Sequence, residues 1–264
     1  MGALLSHCVS SNDDATRSPD VAAQSTTSSH RGRVSPKQNG SRIHEKNAKS
    51  REANTVPDIK RSSPPTTESV EAKIGAYFAR YKDPDEDRIL AEGMERFCAD
   101  LGVDPTEFVV LALAWTFEAD EMCAFARNEF VGGCRRLGDV HSPETLRAKF
   151  PDVEREATGP RFRDFYRFTF GFGLDKSSGQ RSLPLAIAVP LWQLVFSKRR
   201  DVIVLESWCA YLEANQVKGI SRDTWNMFLP FALTIRDDFS NYDDSEAWPS
   251  LFDDFVEYQT SVRQ

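Results

Sequence analysis

Histidine is scarce where chemistry would need it. His7, His30 and His44 fall in the first 44 residues, and only His141 lies within the stretch that carries large apolar side chains. Nucleophile–base pairs and zinc sites draw heavily on histidine, so hydrolase and zinc readings lose their usual reagent. The five cysteines, Cys8, Cys98, Cys123, Cys134 and Cys209, form no CxxC pair and no metal-ligand spacing. An odd count without a secretory leader fits a reducing compartment. Cys98, Cys123 and Cys209 sit on apolar faces, where a buried, inert thiol is the expectation. A lone cysteine acting with a carboxylate stays open on sequence. There is no Gly-rich phosphate loop and no HExxH. The expectation is a chain without catalytic residues, metal or cofactor, one that offers surfaces instead of an active site.

One acidic run tests that expectation. Asp83-Pro84-Asp85-Glu86-Asp87 begins like an EF-hand calcium loop. Such a loop needs Gly at position 6 for its sharp turn and a bidentate Glu at position 12, and those places hold Arg88 and Met94. A helix-loop-helix that has lost its metal fits better than a calcium site. A calcium-responsive, myristoylated sensor is kept as the alternative from a different functional class.

The first six residues, Met1-Gly2-Ala3-Leu4-Leu5-Ser6, fit the N-myristoylation pattern, with Gly2 as the acceptor. One myristoyl chain binds membranes marginally and needs a second signal. Cys8 is available for palmitate, or is an inert thiol. Ten Lys/Arg against six Asp/Glu between Met1 and Arg61 make this segment +4, which suits an anionic membrane surface. The whole chain carries −7, leaving −11 for the remainder. An acidic body argues against nucleic acid and for a basic protein partner.

The elements that must position these surfaces begin late. No Phe, Trp or Tyr precedes Tyr77, and all of them lie between Tyr77 and Tyr258. Without large apolar side chains a segment cannot offset its ordering entropy, so residues 1–68 read as a disordered tail and 69–260 as one domain. From Glu68 the apolar residues recur at helical spacing, as in Val70, Ile74, Tyr77, Phe78 and Tyr81. A second helix over Ile89–Leu101 is closed by Gly102. Asp104-Pro105 reads as an N-cap followed by Pro, opening Thr106–Glu118. Further helices are expected over 127–137, 142–158, 162–174, 183–196, 202–214, 222–235 and 247–260. No run alternates with period two over strand length, so the fold class is all-α, with degenerate EF-hand-like helix-loop-helix units. The apolar run from Leu183 to Phe196 is too short, and too broken by Pro, to span a bilayer.

Two groups of residues carry a family resemblance. The first runs Ser221-Arg222-Asp223-Thr224-Trp225-Asn226, then Asp238-Phe239-Ser240-Asn241-Tyr242, Glu246-Ala247-Trp248-Pro249 and Phe252-Asp253-Asp254-Phe255-Val256-Glu257. The second comprises Tyr81-Lys82-Asp83, Phe97-Cys98, Val103-Asp104-Pro105 and Ala114-Trp115. Together, over about 71–258, they resemble the PONY (potentiating-neddylation) domain of the defective-in-cullin-neddylation family. The lipidation signal resembles that of the membrane-associated type 3 branch.

The resemblance implies a non-catalytic adaptor that holds a cullin and the neddylation conjugating enzyme together beside a RING subunit. Catalysis of that kind is positional and needs no catalytic group of its own. The family's cullin-contacting patch carries over to Asp223, Ala247 and Asp253. Between Ile235 and Glu257 stand eight acids and one base, Arg236; by composition alone this is equally a solvated acidic face. The family's pocket for the acetylated N-terminal Met of the conjugating enzyme carries over to Ala91, Met94, Val110, Leu113, Ala114, Phe117, Cys123, Phe125, Phe172 and Leu194. Val110, Leu113, Ala114 and Phe117 form one helical stripe, and by pattern alone such a stripe is ordinary core. Pro190 and Pro230 depart from a clean helical pattern and put the pocket's shape in question near Leu194. The implied locations are the cell or perinuclear membranes and the cytoplasm, with a nuclear pool. A membrane-held copy that sequesters cullins, lowering their modification, is the opposite outcome on the same fold.

Overall fold

The computed structural model describes residues 67–262. The lipidation positions Gly2 and Cys8, and the basic segment with them, lie outside the described residues. Helix α1 (Thr67–Ala79) leads through a loop to the two-residue strand β1 (Arg88–Ile89) and α2 (Ala91–Leu101). Helix α3 (Phe108–Phe117) leads likewise to β2 (Phe125–Ala126) and α4 (Arg127–Arg136). The two loops join as an antiparallel ladder with Ile89 opposite Phe125. The arrangement then repeats. After α5 (Pro143–Arg147) and α6 (Phe150–Thr158), α7 (Phe162–Phe172) connects to β3 (Ser182–Pro184) and α8 (Leu185–Val195). Helix α9 (Leu205–Ala214) connects to β4 (Gly219–Ser221) and α10 (Arg222–Thr234), and Leu183 faces Ile220 across the second ladder. Helix α11 (Ser250–Val262) closes the domain.

The fold is predominantly helical, as the periodicity requires, and its loops pair in the manner of EF-hands. The ladders are the part that periodicity does not announce. Each strand is two or three residues long and supplies one buried apolar side chain: Ile89, Phe125, Leu183 and Ile220 are all 2 % exposed or less. Two residues cannot show an alternation.

Several helix boundaries differ from expectation, two of them for a specific chemical reason. The helix read over 142–158 is two helices. Pro151, in the first turn of α6, has no N–H to continue a helix arriving from α5. Asp104 does not cap α3. Its carboxylate accepts the backbone N–H and the hydroxyl of Thr106 (2.8 and 2.5 Å), building a turn, and the helix opens at Phe108 after Glu107. Helices α8 and α10 run unbroken through Pro190 and Pro230. Gly102 does end α2, at φ 66°, where its N–H returns to the last carbonyls.

The second half of the core is organised on three aromatic rings, Tyr166, Trp192 and Trp225, whose polar atoms are all satisfied. Trp192 stacks on Trp225 (4.6 Å, 9°), and Trp225 on Tyr166 (5.2 Å). The Tyr166 hydroxyl donates to the Trp225 carbonyl (2.6 Å) and accepts from Trp192 Nε1 (2.9 Å), while Trp225 Nε1 donates to the Tyr166 carbonyl (3.1 Å). A buried network with every member bonded fixes one arrangement of α7, α8 and α10.

Candidate protein-docking sites

The first site is an apolar cavity of about 170 Å³. Helix α3 makes its floor. Its sequence, FVVLALAWTF, is apolar all round, and every residue except Thr116 is buried, because α4, α6, α7 and α8 pack on it. Val110, Leu111 and Ala114 of α3 meet Ala91, Met94 and Glu95 of α2 across the cavity, and Phe172, Leu191 and Leu194 close it from α7 and α8. The remaining wall is Met122–Phe125, in the loop between α3 and α4, with Pro105 and Thr106 at the rim.

That loop wall is held from outside. Glu129, in the first turn of α4, accepts the Ala126 N–H with one carboxylate oxygen (2.8 Å) and the Asp120 N–H with the other (3.0 Å). This is the reach-back half of a capping box, and it fixes both ends of the segment that carries Cys123. Lys176 adds a bond to the Asp120 carbonyl (2.9 Å). Cys123 itself turns the chain at φ 62°, a left-handed conformation uncommon outside glycine.

Of the ten positions carried over to the pocket, eight line this cavity: Ala91, Met94, Val110, Ala114, Cys123, Phe125, Phe172 and Leu194. Leu113 and Phe117 do not. Both are in the core, and the Phe117 ring packs on Phe125 and Phe130 (5.3 and 5.6 Å) and against Gly133. A Cβ at Gly133 would stand 2.1 Å from that ring, so the glycine permits the approach. Leu111, Leu191, Met122, Ala124 and Glu95 are wall residues that sequence reasoning missed. Leu191 was readable, one turn before Leu194; Leu111 was not, since α3 is apolar on every side.

The lining of this cavity is apolar apart from Glu95 and Thr106. The other cysteines near the core are inert: burial pushes the thiols of Cys98, Cys134 and Cys209 up to about 12. The partly open, mainly apolar space has room for an apolar side chain, and burying one contributes roughly 1.5–3 kcal/mol. The neighbouring acidic loop is committed elsewhere. Asp83 accepts the N–H groups of Asp85 and Glu86 (2.9 and 3.1 Å), Asp87 pairs with Arg127 (2.7 Å), and Arg88 pairs with Glu121 (2.7 Å). An arginine therefore stands against Asp87, one of the carboxylates that a calcium ion would need. Among the described residues no group of three or more His, Cys, Asp or Glu is placed to hold a metal ion.

The second site is acidic and lies at α10 and α11. Ser221 caps α10 by accepting the Thr224 N–H (3.0 Å), and Asp223 stands exposed in the first turn, where a carboxylate favours the helix dipole. The segment between α10 and α11 is clipped by Asn241, which accepts the Arg236 N–H and donates to the Thr234 carbonyl (2.8 Å each). Tyr242 and Trp248 seat it on Phe231, which stacks on Phe252 (4.7 Å). Asp238 and Asp243 accept bonds from Ser240 and Ser245, which hold both carboxyls below the usual range and keep them ionised.

Ala247 is exposed, as is Asp254. Asp253, expected on the exposed start of the last helix, is half-buried and accepts a hydrogen bond from the Tyr242 hydroxyl. Burial, and then that bond, push the Tyr242 hydroxyl well above its ordinary range. The structure brings Ala247 and Asp253 to one loop–helix junction. Asp223 stands at the other end of α10, eight residues, or about 12 Å of helix, before Phe231.

Comparison with known proteins places the second site inside a matched region. Residues 145–258 match the family model described as Cullin binding. That range contains Asp223, Ala247 and Asp253, and it contains only the α7 and α8 walls of the apolar cavity. The chain is similar to DCN1-like protein 3 of Xenopus laevis, 53 % identical over 195 residues, covering 73 % of this chain and 64 % of that protein. It is 52 % identical over 200 residues to DCN1-like protein 3 of Homo sapiens, covering 75 % and 65 %. With the Drosophila melanogaster protein of the same name it shares 42 % over 191 residues, covering 71 % and 56 %. The chain thus spans less than two thirds of the length of these relatives.

Proposed function

Since the chain belongs to the defective-in-cullin-neddylation (DCN1-like) family, we propose that it is a non-catalytic adaptor that binds cullins and promotes or regulates attachment of the ubiquitin-like modifier to them. In this reading the cullin docks on the acidic surface of α10 and α11 through Asp223, Ala247 and Asp253. The acetylated N-terminus of the neddylation conjugating enzyme enters the apolar cavity, and a RING subunit completes the assembly. The chain then works by proximity, holding reacting groups together without supplying one. Myristoylation at Gly2, with palmitate on Cys8 or the basic segment as second signal, tethers it to the cell or perinuclear membranes from the cytoplasm.

The observation that carries the proposal is the pair of surfaces on one domain: a partly open apolar cavity lined by eight of the ten family positions, and a separate acidic face inside the cullin-binding match. The test is a cullin pull-down with Asp223→Lys and Ala247→Arg combined, both on exposed positions. Placing two cations opposite a basic partner should abolish cullin capture, a loss of several kcal/mol, while the melting temperature stays close to that of the wild type. Normal capture by the folded variant would remove the cullin assignment. Following modified and unmodified cullin in cells, with and without the chain, separates promotion from sequestration.

A further inference from the structure

The apolar cavity opens to solvent at a mouth where Met94, Met122 and Phe172 are half-buried while packed against the core. Its rim is acidic. Glu95 lines it, and the exposed Asp104 and Glu107 flank Pro105 and Thr106. A partly exposed apolar concavity with a charged rim is a docking place for an apolar group on a chain that brings no negative charge.

The chain carries such a segment itself. Leu4-Leu5 is the only pair of adjacent large aliphatic residues between Met1 and Thr66, and neither leucine nor methionine recurs there beyond Leu5. The first carboxylate is Asp13, so the residues before it bring nothing that the acidic rim would repel. Beyond it, the net +4 between Met1 and Arg61 is drawn to a remainder that carries −11. Reach is ample. The 57 residues between Val9 and the start of α1 span about 40 Å as a flexible chain, against a radius of about 16 Å for a domain of this size. A link of that kind supplies an effective concentration of roughly 4 mM. A contact with a dissociation constant of about 1 mM, negligible between separate molecules, would then hold the cavity closed about four-fifths of the time.

We propose that the segment Met1–Val9 of this chain docks in the apolar cavity with Leu4-Leu5 inserted, an autoinhibitory contact that competes with any ligand from outside. That the excluded ligand is the N-terminus of the conjugating enzyme rests on the function proposed above; the contact itself does not. A cavity free one-fifth of the time binds an outside ligand about fivefold more weakly than an open one.

The experiment compares the full chain with its Leu4→Asp/Leu5→Asp variant, both without acylation, by methyl NMR of the methionines. The signals of Met94 and Met122 should differ between the two proteins, while Met227, on α10 and away from the cavity, stays in place. A separate peptide of residues 1–9 should move the variant's two signals saturably toward their wild-type positions, and the same peptide with both leucines replaced by Asp should not. A peptide beginning with acetyl-methionine should bind the variant about fivefold more tightly than the wild type. Identical Met94 and Met122 signals in the two proteins would overturn the proposal. Equal affinity of both proteins for the acetyl-methionine peptide would overturn it too, while leaving the conjugating-enzyme reading in place. Methyl signals that follow the tail, with no acetyl-methionine binding to either protein, would support the contact and remove that reading instead.

Discussion

Neighbouring residues on one helix face can belong to different parts of the molecule. Val110 and Ala114 stand on the wall of the cavity, whereas Phe117, one turn further along the same stripe, is wedged between Phe125, Phe130 and Gly133. The two classes should respond differently to substitution. Met94→Lys places a cation at a half-buried wall position, where its stem can reach solvent. It should lower affinity for a peptide beginning with acetyl-methionine at least tenfold, with a melting temperature near that of the wild type. Phe117→Ala removes a fully buried ring and should cost about 3–5 kcal/mol of stability. Calorimetry and fluorescence binding on the two proteins check the assignment, and the reverse pattern would refute it. The acidic residues separate in the same way. Asp253→Lys strands the Tyr242 hydroxyl and should cost about 1–3 kcal/mol, while Asp223→Lys, exposed at a helix start, should lose about 1 kcal/mol or less. Chemical denaturation of both variants measures the difference. Composition named Asp253 as one acid among eight; its bond to a tyrosine eleven residues earlier is a tertiary fact with no local signal.

Elements were legible where a single chemical rule decides them. Gly102 ends α2 because its backbone takes a left-handed turn, and Ser221 starts α10 because its hydroxyl accepts a helix N–H. Rules conflicted elsewhere. Asp104-Pro105 satisfies the pattern for a helix start, but the Asp104 carboxylate is captured by Thr106, and the helix waits for Phe108. The short ladders escaped for want of length, and Leu111 in the cavity wall escaped because α3 offers no polar face to orient it. The loop that completes the wall is a separate problem, since its shape depends on Glu129, a residue of the following helix. Glu129→Ala should release the Asp120 and Ala126 N–H groups, cost about 1–2 kcal/mol, and weaken binding of the acetyl-methionine peptide although residue 129 does not touch the cavity. Glu129→Gln keeps one acceptor and should recover part of both losses. Hydrogen exchange at Asp120 and Ala126 reads the effect directly; unchanged protection in the Ala variant would show that the loop holds itself.

At the scale of the whole molecule the governing quantity is the division of charge, +4 between Met1 and Arg61 against −11 in the remainder. The two halves favour opposite partners: an anionic bilayer attracts the first and repels the second, and a basic protein does the reverse. A membrane role for the chain then depends on the N-terminal signal, since the acidic domain would oppose any approach to anionic lipid within a screening length of about 8 Å. Among the described residues no helix is long and apolar enough to cross a membrane. Gly2→Ala should accordingly shift the chain from the membrane to the soluble fraction of cells without altering its melting temperature, because position 2 lies far in sequence from the first core residue, Ile74. Vesicle sedimentation separates the two attractive contributions. If the basic segment helps, binding of the myristoylated chain to anionic vesicles should fall as salt rises from 50 to 500 mM, and binding to neutral vesicles should stay flat. Raising salt should also slow association with a cullin, since the same screening weakens the pull of the acidic face on a basic surface. Membrane partitioning that survives Gly2→Ala would sink the acyl anchor. Salt-independent binding to anionic vesicles would leave the acyl chains as the whole attachment, with Cys8→Ser then the variant that distinguishes one chain from two.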